Sequence, residues 1–153
     1  MVRATMKYWL PVIAWMLLIF AASTDLMSAQ HTSRFIGPFL VWLKPDVSLD
    51  QIRAVQFVVR KAAHVTEYAI LAALLMRAFY GGVRAVRWRH AIGALLIAST
   101  YAALDEFHQS FVASRTGSPR DVLIDASGAA LGAVVSWWLI AHRRADRPAR
   151  PTT

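Results

Sequence analysis

The sequence lacks cysteine and is poor in acidic residues, with nine Asp and Glu against 17 Lys and Arg in 153 residues. Without cysteine, disulfides, thiolate metal sites and cysteine nucleophiles are excluded. The chain also shows no strand-like alternation, no internal repeat and no low-complexity tract. These absences indicate a single helical domain that is held together without covalent cross-links.

The chain is rich in apolar residues, which make up 57% of it and include six tryptophans. Its mean hydropathy is +0.41, too apolar for an ordinary small soluble domain. Crossing a hydrocarbon core about 30 Å thick takes about 20 apolar residues. Four stretches approach that length: 8–22, 62–80, 91–111 and 122–141. We therefore predict an all-α, multi-pass membrane protein with four transmembrane helices in one domain over 1–153.

A net charge of +8 could indicate a protein that binds nucleic acid, but the distribution of the charges indicates membrane topology instead. With a cytoplasmic N-terminus, the inner segments carry ten basic residues against one acid, Asp146, and the outer segments carry seven against eight. Short loops rich in Lys and Arg stay cytoplasmic, which predicts that both termini are inside. The basic, Pro-rich tail 142–153 is expected to be disordered and drawn to anionic lipid. Nucleic acid is not an expected partner.

The segments between the spans contain start and stop signals. Residues 25–44 read as an outer loop, interrupted by Gly37-Pro38. Ser48 and Gln51 have capping-box spacing, so a helix should begin near Leu49 and reach Tyr80, about 48 Å in all. Its first turns must lie outside the core, as an interfacial extension before the second span. Pro119 suits the first turn of the fourth helix. The N-terminal apolar run resembles a signal peptide as well, and a retained helix is the favoured reading.

Ionisable side chains lie inside three of the predicted spans, where they are costly and usually functional. Counted from the inner boundary at about 1.5 Å per residue, Glu67, Asp105 and Asp125 lie about 20, 22 and 26 Å outward. Three helices thus bring carboxylates to one level in the outer third of the core. This convergence marks the place to look for function.

Helical phase, at about 100° per residue, predicts which of these side chains share a face. Each of the second and fourth spans directs its polar residues to one side. The third span is looser, since Glu106 lies about 100° from the face of Asp105, His108 and Gln109. The two narrow faces are Lys61, His64 and Glu67 on one helix, and Asp121, Asp125, Gly128 and Gly132 on the other. Small residues spaced by four allow close helix contact in lipid.

The ordered polar motifs resemble the VanZ-like family of bacterial integral membrane proteins, over about Phe57 to Gly132. The chain departs from the family pattern at Ala113-Ser114, where Pro-Gly often precedes the arginine. The resemblance implies a location in the bacterial cytoplasmic membrane and a relation to cell-envelope function. The family's namesake is associated with resistance to the glycopeptide antibiotic teicoplanin. The motifs are Arg60-Lys61-Ala62-Ala63-His64-Val65-Thr66-Glu67-Tyr68, Leu104-Asp105-Glu106-Phe107-His108-Gln109 and Arg115-Thr116-Gly117-Ser118, followed by Asp121, Asp125 and Gly128.

The leading functional hypothesis is recognition or modification of a phosphate-bearing envelope lipid, either a phospholipid or a lipid-linked envelope precursor. Paired carboxylates in a low dielectric can supply one acid and one base, and Arg and Lys can hold the phosphate. The catalytic candidates are His64, Glu67, Asp105 and Asp121. The substrate- and anion-binding candidates are Lys61, Glu106, His108, Gln109, Arg115 and Asp125.

Other interpretations stay open at this stage, including whether the protein is an enzyme. The polar residues could form a structural helix lock or a partner-binding module, in which opposite charges largely neutralise one another. No cofactor is expected, although a divalent metal at His64, Glu67 and Asp105 is an alternative. A proton-linked transporter is less favoured, because the charges gather on one side. The residues of the neutralising set are Asp50, Arg53, Lys61, Glu67, Asp105, Glu106, Arg115, Arg120, Asp121 and Asp125.

Overall fold

The computed structural model describes residues 2–24, 29–81, 86–111 and 117–145. Within these ranges the regular secondary structure is helical, with five helices and no strand. The predicted all-α class is confirmed. The helices are α1 (Val2–Ser23), α2 (Ala29–Leu43), α3 (Leu49–Tyr80), α4 (Trp88–Gln109) and α5 (Pro119–Ala145).

The helix ends follow the start and stop signals of the sequence. Ser48 caps α3 as predicted: its side chain accepts from the Gln51 N–H, and the Gln51 side chain accepts from the Ser48 N–H. This reciprocal pair satisfies two donors that a helix start otherwise leaves free. At the other end Gly81 donates its N–H to the Arg77 carbonyl, and Pro119 is the first residue of α5.

The expected outer loop 25–44 is corrected by the structure, because Ala29–Leu43 within it forms α2. Gly37-Pro38 is typical of a loop, yet the helix continues through both residues. We attribute this to the packing of α2 along α3, since tertiary contacts override local propensity. The aromatic rings of Phe35, Phe39 and Trp42 remain exposed on α2.

Three helical segments in the described ranges are long and apolar enough to cross a membrane: Met6–Ser23, Leu49–Tyr80 and Pro119–His142. Large apolar side chains face outward on them, as lipid requires; Leu17 is 64% exposed and Val134 is 60% exposed. The chain is therefore a membrane protein by length, composition and the direction of its side chains. The predicted fourth span, on α4, is not among these three segments, because its polar residues lower its mean hydropathy.

Small residues form the core between the helices. Gly128 and Gly132 of α5 lie against the backbone of Val65 and Ala69 of α3, so closely that no Cβ fits there. Along α4, alanines spaced by four are fully buried at positions 94, 98 and 102. The predicted close approach at the glycine face is confirmed. It brings α3 and α5 together, and the polar pairs lie on the N-terminal side of these contacts on both helices.

The C-terminal boundary differs from the prediction. The sequence assigned 142–153 to a disordered tail, but α5 continues to Ala145. Residues 142–145 are thus helical, because no helix-breaking residue precedes Pro148. The rest of the predicted tail, 146–153, lies outside the described residues.

Candidate functional site

The polar side chains gather at one end of the bundle, where the end of α1, the middle of α3, the end of α4 and the start of α5 meet. We call this set the polar cluster. At the opposite end of the bundle, Arg77 lies over the Tyr8 ring, with its Cζ 5.7 Å from the ring centroid. The polar cluster consists of Lys61, His64, Tyr68, Asp105, Glu106, Gln109, Asp121 and Asp125.

Two contacts between basic and acidic side chains join α3 to α5, one helical turn apart. Lys61 forms an ion pair with Asp121 at the less buried end of the polar cluster, which we call its mouth. One turn deeper, His64 Nδ1 lies 3.2 Å from Asp125 Oδ1. Asp125 is fully buried, and its contact with His64 is close without the alignment of a hydrogen bond. Lys61 and His64 are three residues apart on α3, and Asp121 and Asp125 are four apart on α5. The two pairs therefore lie at two successive levels, about one helical turn apart.

Asp105 of α4 is the centre of a hydrogen-bonded network that crosses three helices. Its Oδ2 accepts from the Tyr68 hydroxyl at 3.3 Å and from the Gln109 amide at 3.0 Å. The same Gln109 amide nitrogen also donates to Ser23 Oγ of α1 at 3.3 Å. These side chains are buried, and a typical hydrogen bond of this kind contributes about 0.5–1.5 kcal/mol net.

Glu106, adjacent to Asp105, points toward α5 instead. Its Oε2 accepts from the Ser118 N–H at 2.9 Å, just before the first residue of α5. Glu106 is 4% exposed. Asp105 and Glu106 therefore contact different helices, because α4 packs against α1, α3 and α5.

Several buried polar atoms of this region have no hydrogen-bond partner among the described residues. Such atoms are rare in folded proteins and costly in a low dielectric. A site whose purpose is only to lock helices together would be expected to satisfy them. The atoms are His64 Nδ1, Asp105 Oδ1, Glu106 Oε1, His108 Nδ1 and both carboxylate oxygens of Asp125.

The remaining predicted site residues are placed differently. The His108 ring packs against Phe20 of α1, with centroids 4.7 Å apart. Glu67 is half-buried, and its backbone carbonyl accepts from Trp15 Nε1 at 2.9 Å. Arg115 lies outside the described residues.

The ten residues of the neutralising set do not all lie at the polar cluster, and one of them, Arg115, lies outside the described residues. Arg53 and Asp50 contact each other at 3.5 Å on the exposed start of α3. The described polar cluster is left with four carboxylates, one lysine and one histidine. Its acids therefore outnumber its bases.

The residues that could hold a metal ion in the structure differ from those that the sequence indicated. The sequence favoured His64, Glu67 and Asp105 as the metal alternative. The structure instead groups His64 with Glu106 and Asp125, whose ligand atoms lie within 4.8 Å of one another. Helical phase could not show this, because it does not say which neighbour each face of α4 meets.

Sequence reasoning did not assign roles to Tyr68 and Ser118, which donate to Asp105 and Glu106, or to Ser23, which accepts from Gln109. Tyr68 lies within the predicted polar arc of α3, so the signal was present. Ser118 directly precedes Pro119, the position from which a serine contacts a helix start. Ser23 had no signal, because its role depends on how α1 packs.

The fold and the polar cluster define a helical membrane protein with a polar core at one end of its bundle. The model of the VanZ/LLP1 family matches residues 8–140. The chain belongs to this family, and the predicted resemblance is confirmed. Searches among curated proteins and among solved structures found no match.

Proposed function

We propose that α4 is a fourth transmembrane span. Its 22 residues correspond to about 33 Å of helix, enough for a core of about 30 Å. Its apolar side chains face outward, with Leu96 61% and Leu104 59% exposed, whereas Asp105 and Glu106 are each 4% exposed. This distribution is the one expected of a helix in lipid that directs its polar residues to a protein interior.

With four spans, the basic residues favour both termini in the cytoplasm, by the positive-inside preference of short loops. Family membership supports the bacterial cytoplasmic membrane as the location. In this orientation the polar cluster opens toward the outer face of the membrane. Exposed Phe39 and Trp42 on α2 would then lie at the outer interface, where aromatic rings settle.

We propose that the polar cluster recognises or modifies a phosphate-bearing lipid of the cell envelope. One observation carries this proposal: buried acidic groups with unbonded oxygens lie one helical turn below cationic side chains at the mouth of the polar cluster. Lys61 and Asp121 lie one turn, about 5–6 Å, nearer the mouth than His64 and Asp125. Exposed Arg60 and Arg120 adjoin that pair in sequence. A headgroup phosphate would meet these cations first, with Arg115 as a further candidate.

Modification, if it occurs, would use the groups beneath the phosphate. His64 and the carboxylates of Asp105, Glu106, Asp121 and Asp125 offer proton donors and acceptors within one buried site. Glu67, on the same helix as His64, stays a candidate for this role. Family membership extends the proposal to a relation with teicoplanin resistance, tested by comparing the susceptibility of cells expressing the wild-type chain and Asp105→Asn.

A structural lock is the second hypothesis, and specific contacts favour it. Lys61 with Asp121 and Tyr68 with Asp105 both join different helices. The unsatisfied oxygens of Asp125 oppose it, because a lock gains nothing from a buried carboxylate that lacks a donor.

Native mass spectrometry of the full chain tests the lipid proposal. The wild type should retain a lipid that carries phosphate, and its mass distinguishes a phospholipid from a polyprenyl phosphate. Lys61→Gln combined with Arg120→Gln should lower retention at least about tenfold, a loss of about 1.4 kcal/mol. The matched control is Arg53→Gln, an exposed cation outside the polar cluster.

Equal retention by the double variant and the control, or retention of lipids without phosphate, would contradict the proposal. Incubation with added lipid then separates the two activities. A change in lipid mass that Asp105→Asn abolishes indicates modification, and an unchanged mass with specific retention indicates recognition.

A further inference from the structure

We propose that His64, Glu106 and Asp125 form a binding site for a divalent metal ion of the zinc type. The three residues come from α3, α4 and α5, and their ligand atoms lie within 4.8 Å of one another. Donor atoms around a tetrahedral ion bound at about 2.0–2.2 Å are separated by about 3.3–3.6 Å. The 3.2 Å between His64 Nδ1 and Asp125 Oδ1 is close to that spacing.

The bonding state of the three side chains supports a ligand at this position. Asp125 is fully buried, and neither of its oxygens has a hydrogen-bond partner in the described part of the chain. Glu106 uses Oε2 to accept from the Ser118 N–H and leaves Oε1 without a partner among the same residues. The Ser118 contact fixes the carboxylate from behind, as groups that orient metal ligands do.

The charge of the polar cluster supports a cation in particular. Glu106 and Asp125 are buried carboxylates, and the lysine of the polar cluster pairs with Asp121 rather than with either of them. Unpaired charge is unfavourable in a buried site. A divalent ion between Glu106 and Asp125 would balance two negative charges at the deepest part of the site.

The ligand types narrow the choice of metal. One imidazole with two carboxylates is a nitrogen and oxygen set suited to Zn²⁺, whereas Mg²⁺ prefers oxygen ligands and retains its waters. Three protein ligands leave a coordination position open, which is the pattern of catalytic zinc sites. This inference does not depend on the proposed lipid function, since a metal can bind whether or not a lipid does.

Metal titration of the purified, untagged full chain tests the proposal. After chelation, ZnCl₂ added in competition with a chromophoric chelator should bind with about one equivalent per chain. Glu106→Gln, Asp125→Asn and His64→Ala should each weaken zinc binding at least about tenfold. Matched controls are Asp50→Asn and His142→Ala, which change exposed residues outside the polar cluster.

The proposal is overturned if the wild type binds no zinc saturably, or if the three variants bind it as the controls do. Because a variant could fail to fold, X-ray absorption of the zinc-loaded wild type provides a second measurement. It should show nitrogen and oxygen ligands with a single imidazole. Two or more imidazoles would place the metal elsewhere and refute the assignment.

Discussion

The substitution Gly132→Ala tests how α3 and α5 hold the site together. A Cβ at Gly132 would lie 2.7 Å from the carbonyl carbon and Cα of Ala69, whereas ordinary contact begins at 3.4 Å. The Ala69 carbonyl oxygen would lie closer still. The helices must therefore separate by at least about 0.7 Å, because backbone atoms cannot rotate away as a side chain can. A gap of that size loses about a quarter to a half of each dispersion contact along the interface.

The expected cost follows from two opposing contributions. Overpacking costs about 1–3 kcal/mol, and we take the upper end because the obstacle is backbone. Replacing a helical glycine by alanine returns about 0.5–1 kcal/mol. Gly132→Ala should thus destabilise the fold by about 2 kcal/mol, or about 4–8 °C in melting temperature at 2–4 °C per kcal/mol. Tryptophan fluorescence during thermal unfolding in detergent measures this shift.

Gly37→Ala in α2 is the matched control, since a Cβ there meets nothing within 4 Å. It should keep or raise the melting temperature, because only the helix propensity changes. The reasoning would be refuted if Gly132→Ala were as stable as the wild type, or if Gly37→Ala lowered the melting temperature equally.

Two further predictions concern the Asp105 network and the topology. Tyr68→Phe removes one donor from the buried Asp105 carboxylate and should cost about 1–3 kcal/mol in the same thermal assay; an unchanged melting temperature would contradict the network. Because the chain has no cysteine, Asp46→Cys and Thr153→Cys give single labelling sites. Intact cells should react with a membrane-impermeant maleimide at Asp46→Cys and not at Thr153→Cys, and the reverse pattern would contradict the proposed orientation.

Much of the helix framework could be predicted from the sequence, because local signals decide it. Ser48 and Gln51 start α3, and Pro119 starts α5. The glycines at 128 and 132 identify the face of α5 that approaches α3. The short helix α2 could not be predicted, since Gly37-Pro38 opposes it locally and its contact with α3 decides the outcome.

The composition of the site was predictable, but its pairing was not. Helical phase separates Glu106 from Asp105 by about 100°, but it does not say which helix each of them faces. In the structure α4 has neighbours on several sides, so Asp105 meets Tyr68 while Glu106 meets Ser118. Which carboxylate joins His64 therefore depends on three-dimensional packing, and this is why the metal set differs from the one that the sequence favoured.

The melting temperature of Asp125→Asn, measured without metal, tests most directly whether the polar cluster is a ligand site or a lock. Asp125 is a fully buried carboxylate whose oxygens make no hydrogen bond among the described residues, although His64 Nδ1 lies 3.2 Å from its Oδ1. A near-isosteric neutral side chain should then keep or raise stability, as substitutions at binding sites often do, while zinc binding falls. A loss of about 3–5 kcal/mol, the cost of breaking a buried ion pair, would contradict the account and support the lock.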